Sequence, residues 1–102
     1  MEQDFYCKNI LSGKIKYKVV EETNNILAFH HTKPSYKMHI VVIPKNHIVD
    51  LVSVSDLEII KEIFEVILKI IKNNKLIDFK IINNSGKYQD SKHLHFHLIS
   101  NF

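Results

Sequence analysis

Residues 92–100 read KHLHFHLIS, and three of the chain's seven histidines, His93, His95 and His97, alternate there with Leu94, Phe96 and Leu98. Strict alternation predicts a β-strand, in which residues two apart share a face at a spacing of about 6.6–6.8 Å. One face then carries a row of imidazoles and the other a row of large apolar groups. The apolar row can be buried, and the packing behind it holds the imidazoles at fixed spacing. Three uses of such a row are open. It could ligate zinc, copper or nickel. It could pair one neutral imidazole, as nucleophile, with others acting as acids or phosphate contacts. Or the histidines could be surface residues without a role. At an ordinary pKa of ~6.5, roughly three quarters of each imidazole is neutral at pH 7, and neighbours discourage all three from charging together. A neutral nucleophile can therefore stand beside a proton donor, an arrangement suited to a phosphoryl centre whose oxyanion charge a cationic imidazole stabilises.

The elements that must position this row are legible as short segments. KYKVVEE (16–22) and ILAFHH (26–31) read as two strands joined by a turn at Thr23-Asn24-Asn25, and MHIVVIP (38–44) reads as a buried strand stopped by Pro44. Ser55 followed by Glu58 has the spacing of a capping box, ahead of one long helix over 56–75. Leu57, Ile60, Ile63, Phe64, Ile67, Leu68 and Ile71 recur at helical spacing, with Ile59, Val66 and Ile70 widening the stripe. The wider stripe leaves two options, a broad core contact or a second face buried against a partner subunit. DFKIIN (78–83) predicts a fourth strand, NSGKYQDS (84–91) a polar loop, and the histidine row the fifth strand. The sum is an α+β domain with a mostly antiparallel five-stranded sheet and one long helix.

With 102 residues the chain suits one domain, spanning 1–102, without need of staples. Its single cysteine excludes an internal disulfide. The start, MEQDFYCKN, lacks the apolar run of a secretory signal, and charged residues interrupt the helix, so a cytoplasmic protein with no membrane span is expected. The formal charge is +3 and every basic residue is Lys, so a phosphate site must use Lys, His or backbone amides. The lysines are scattered and not interleaved with aromatics, which speaks against a nucleic-acid surface.

HLHFHLI resembles the motif of the histidine triad (HIT) family, His-φ-His-φ-His-φ-φ. ILAFHHTKP with MHIVVIPKNHI is similar to the family's N-terminal half, and IINNSGKYQDSKHLHFHLI to its C-terminal half, so the resemblance covers nearly the whole chain. The appearance is of the Hint-type branch, nucleoside phosphoramidate and nucleotide hydrolases that work as homodimers with a sheet continuous across two subunits. The resemblance implies that His95 attacks the α-phosphate of a purine nucleotide conjugate. A nucleotidyl-histidine intermediate forms, and water then releases a nucleoside monophosphate. It implies that His97 contacts the phosphate and assists the leaving group, and that His93 and His39 complete the cluster. Asn83 and Gln89 match positions on the phosphate and ribose side, and Phe29 a position beside the purine. No cofactor is required for this chemistry.

Four positions depart from the family pattern. His31 stands where the family usually has the Asp that binds the ribose hydroxyls, and a histidine is not a bidentate acceptor. Asp90 stands where Ser or Thr is usual near the leaving group, and its carboxylate would repel a phosphate unless Lys87 or Lys92 compensates. Many bacterial relatives open with Cys-x-x-Cys, which joins two histidines around a structural zinc. Here the matching set is Asp4, Cys7, His47 and His93, which could still hold zinc or could have lost it. The chain stops at Phe102, without the tail that in Hint-type proteins reaches the partner's site, which implies looser specificity. The alternatives are a dinucleoside polyphosphate hydrolase, a nucleotide-binding module with little turnover, and a metal-binding protein using the row 93, 95, 97.

Overall fold

The computed structural model describes residues 6–14 and 16–102. Five strands form one antiparallel sheet: β1 (Val19–Glu22), β2 (Ile26–His30), β3 (Met38–Pro44), β4 (Lys80–Ile82) and β5 (Phe96–Ser100), in the order β1-β2-β3-β5-β4. One long helix, α1 (Glu58–Asn73), crosses one face. The alternating side chains of the central strands split between two apolar layers. Ile26, Ala28, Ile40, Val42, Leu94, Phe96 and Leu98 pack against Ile63, Val66, Ile67, Ile70 and Ile71 of α1. Leu27, Phe29, Val41 and Ile43 face the other way, against Tyr6 and Ile10. These last two belong to a π-helical turn, Tyr6–Leu11, which the periodicity does not announce.

The helix differs from expectation in two respects. Its start is not a Ser55–Glu58 capping box: Asp56 Oδ1 accepts the Glu58 N–H at 3.0 Å, and Leu57 occupies the cap without a side-chain bond. Val66 and Ile70 are core residues of α1, whereas Leu57 and Leu68 stay exposed. β5 begins at Phe96 and not at residue 92, because ahead of it the chain is held from the side, Leu94 N–H donating to Ile48 O at 2.6 Å. Leu94 is nonetheless fully buried, so the apolar row continues past the end of the ladder. Burying Leu94, Phe96 and Leu98 contributes about 1.5–3 kcal/mol for each side chain. Among the described residues no helix is long and apolar enough to cross a membrane.

Candidate active site

Hydrogen-bond partners set the proton positions along the histidine row. His95 is buried, and its Nδ1 lies 2.8 Å from the carbonyl oxygen of His93. A carbonyl accepts only, so His95 carries its proton on Nδ1 and its lone pair on Nε2. The Asn83 amide donates to His95 O at 3.0 Å, tying the end of β4 to the residue ahead of β5. Burial pushes the His95 pKa down and keeps the ring neutral, against the nearby charge of Asp90, which raises it.

His97 meets His39 across the β3–β5 pair, Nδ1 to Nε2, at 2.8 Å. Ser35 N–H donates to His39 Nδ1 at 3.2 Å, so the His39 proton sits on Nε2 and is donated to His97 Nδ1. The remaining proton of His97 is therefore on its Nε2. Burial, and then the neighbouring imidazoles, bring the His97 pKa down to about 4. Burial and His31 likewise bring His39 down to about 4. The rings form a continuous run. His95 and His97 centroids are 5.0 Å apart, His97 and His39 also 5.0 Å, and His39 and His31 4.3 Å in a near-parallel stack. His31 accepts the Lys33 N–H on Nδ1 at 2.9 Å. Burial lowers its pKa, and the charge of Asp90 opposes that shift.

The other residues expected at the site fall in distinct places. Phe29 is on the histidine face but buried between Tyr17 and Tyr6, at centroid distances of 5.4 and 6.0 Å. Gln89 donates from Nε2 to Val49 O at 2.6 Å and Ser91 O at 2.9 Å, which fixes the orientation of its amide. Its Oε1 is buried with no protein partner among the described residues. An unpaired buried acceptor costs about 1–3 kcal/mol, which a donor on a bound ligand would recover. Asp90 is exposed, and its charge reaches His31, His95 and His97. Lys92 extends to Gly86 O at 3.3 Å. Tyr6 was not singled out in the sequence, yet its ring lies 5.0 Å from that of His95 and 5.9 Å from that of His93. The available signal was an aromatic residue next to a candidate ligand, Cys7.

His93 is turned away from this run. Its Nε2 lies 2.7 Å from Pro44 O and so carries the proton, which leaves the Nδ1 lone pair facing Cys7 Sγ at 3.4 Å. Cys7 Sγ is also 3.9 Å from His47 Nδ1, and the three donor atoms lie within 4.8 Å of one another. Zn–S and Zn–N bonds of about 2.3 and 2.0 Å at a tetrahedral angle set S and N about 3.5 Å apart, so the set fits zinc. The Pro44 carbonyl supplies the outer hydrogen bond that fixes a ligating imidazole. Cys7, His47 and His93 would hold the ion, in a structural role, and Asp4 lies outside the described residues. The row 93, 95, 97 does not converge on one point: its Nδ1 atoms face Cys7, the His93 carbonyl and His39 respectively.

An antiparallel five-stranded sheet backed by one helix, with imidazoles lined along its other face, defines a histidine-triad fold. The chain belongs to the HIT family, whose domain model matches residues 12–102. It is similar in structure to a histidine triad protein from Clostridium difficile, with a TM-score of 0.85 and 36% identity over 97% of this chain and 92% of that one. It is 34% identical to an uncharacterized HIT-like protein of Methanocaldococcus jannaschii, over 95% of this chain and 78% of the relative. It is 32% identical to the adenosine 5'-monophosphoramidase HNT1 of Saccharomyces cerevisiae, over 92% of this chain but only 60% of that protein's length.

Proposed function

We propose that the protein is a nucleotide hydrolase of the Hint type, cleaving purine nucleoside phosphoramidates or related conjugates at the α-phosphorus. The observation that carries this reading is the fixed pair of tautomers, with the His95 lone pair on Nε2 and the His97 proton on Nε2. His95 Nε2 forms a bond to phosphorus as the bond from phosphorus to the leaving group breaks. The negative charge of a bound phosphate raises His97, whose Nδ1 takes the Nε2 proton of His39 as His39 gains one on its own Nδ1; His97 then delivers its Nε2 proton to the departing amine. Water then attacks the nucleotidyl-histidine, loses a proton to His97, and releases the monophosphate and neutral His95. Gln89 Oε1 is suited to accept a hydrogen bond from a ligand donor. The similarity to a monophosphoramidase supports this substrate class.

A homodimer accompanies the reading. β4 is an edge strand, and Phe79, Ile81, Leu57 and Leu68 leave apolar side chains exposed that a second copy would cover. The deciding experiment is incubation with adenosine 5'-phosphoramidate: AMP release is expected, and none from His95→Ala. Turnover by H95A at the wild-type rate would remove His95 from the role of nucleophile. Sedimentation of a monomer at assay concentrations would remove the dimer.

A further inference from the structure

We propose that the preferred nucleotides carry a second phosphate on the ribose, at the 2′ or 3′ oxygen, held in a basic cleft beside His31. The inference rests on the nucleotide reading above and narrows its substrate class. An Asp at position 31 would accept hydrogen bonds from both ribose hydroxyls. The histidine present cannot, because its Nδ1 is already taken by the Lys33 N–H at 2.9 Å. What remains is Nε2–H, which can donate to one hydroxyl oxygen but cannot accept from either hydroxyl, and which bonds an oxyanion more strongly. Stacking on His39 at 4.3 Å fixes the ring, and His39 is in turn bonded to His97.

A cleft of about 600 Å³ opens at His31, lined also by Lys16, Tyr17, Lys18, His30 and Thr32. None of these described lining residues carries a carboxyl group; the charge of Asp90 reaches His31 from outside the lining, and against it stand two ammonium groups, with two hydroxyls and two imidazoles that can donate. His31 thus links the row to the cleft. The His31 and His97 ring centroids are 6.1 Å apart, so a nucleotide with its 5'-phosphate at His97 would have its ribose within reach of His31 and a 2′ or 3′ substituent within reach of the lysine-lined space. Dinucleotide-binding folds make the same exchange, an acid for a free ribose hydroxyl and a base for a ribose phosphate. Without arginine in the chain, lysines are the point charges left for that phosphate.

The test is calorimetric titration of the full chain, at fixed low ionic strength, with AMP, adenosine 2',5'-bisphosphate and adenosine 3',5'-bisphosphate. One bisphosphate is expected to bind at least about tenfold more tightly than AMP. Lys16→Gln with Lys18→Gln should bring that Kd up to the value for AMP, and His31→Asp should turn the preference toward AMP. A control double variant on the far side of α1's end, Lys72→Gln with Lys75→Gln, should retain the tenfold gain. Equal or tighter binding of AMP overturns the inference alone, as does loss of the gain in the control, which would make it a matter of overall charge. Failure of all three ligands to bind overturns the nucleotide reading and this inference together.

Discussion

Lowering the pH from 7 to 5 protonates His39 and His97 in the unfolded chain but leaves them neutral in the folded one. Each has an ordinary value of 6.5 and a folded value of about 4. Between these values the unfolded chain binds more protons, so stability falls as pH falls. It is fully present above 6.5, and the loss ends below about 4. For one isolated histidine with these values the loss from pH 7 to pH 5 has a ceiling of about 2 kcal/mol. His97 is partly open to solvent and His39 contributes to its depression, so the ceilings do not add. Screening brings the pair to about 1 kcal/mol. Urea unfolding at the two pH values measures it. His97→Asn, which cannot titrate, supplies the reference that cancels exposed carboxylates common to both proteins. His39 still titrates in H97N, so the wild type should lose more than H97N only by the share of His97, about 0.5 kcal/mol. Equal losses, or a wild type that gains stability at pH 5, would mean that the buried imidazoles are not held neutral by their surroundings.

Two further outcomes follow from the packing and the cysteine cluster. Leu94→Ala, at a fully buried site under the triad, should cost about 2–5 kcal/mol by thermal or urea unfolding. A cost below about 1 kcal/mol would show that the apolar row does not anchor the histidines. Zinc titration followed by elemental analysis should give one ion per chain and a raised Tm. Cys7→Ser should weaken binding at least about tenfold, and unchanged affinity would exclude the Cys7–His47–His93 site.

Alternation and helical spacing depend on neighbours in sequence, and for that reason the five strands and α1 were legible at the level of the chain. The segregation of Leu94, Phe96 and Leu98 toward α1 is the same pattern expressed as packing. Where a distant group decides, the reading falls short. β5 starts late because Ile48 takes the Leu94 N–H. Asp56 displaces Ser55 at the helix start by reaching the Glu58 N–H first. The Tyr6 ring meets Phe29 and two histidines that are far away in the chain. Asn83 was assigned by resemblance to the phosphate and ribose side, and its hold on the His95 backbone, through its amide, has no signal in the sequence. The histidines shared one description in the sequence, whereas the groups around each ring give them different protons: the adjacent-strand His39 for His97, Pro44 O for His93, and the His93 carbonyl two residues away for His95.

His93 uses separate atoms for separate duties: its ring faces Cys7 and Pro44, while its main-chain oxygen fixes the tautomer of His95. Side-chain replacement at this position therefore edits only half of the residue. A variant there can dismantle the sulfur-and-imidazole cluster while leaving untouched the peptide group that aims its neighbour, so a surviving activity would not count against the part this residue plays in it.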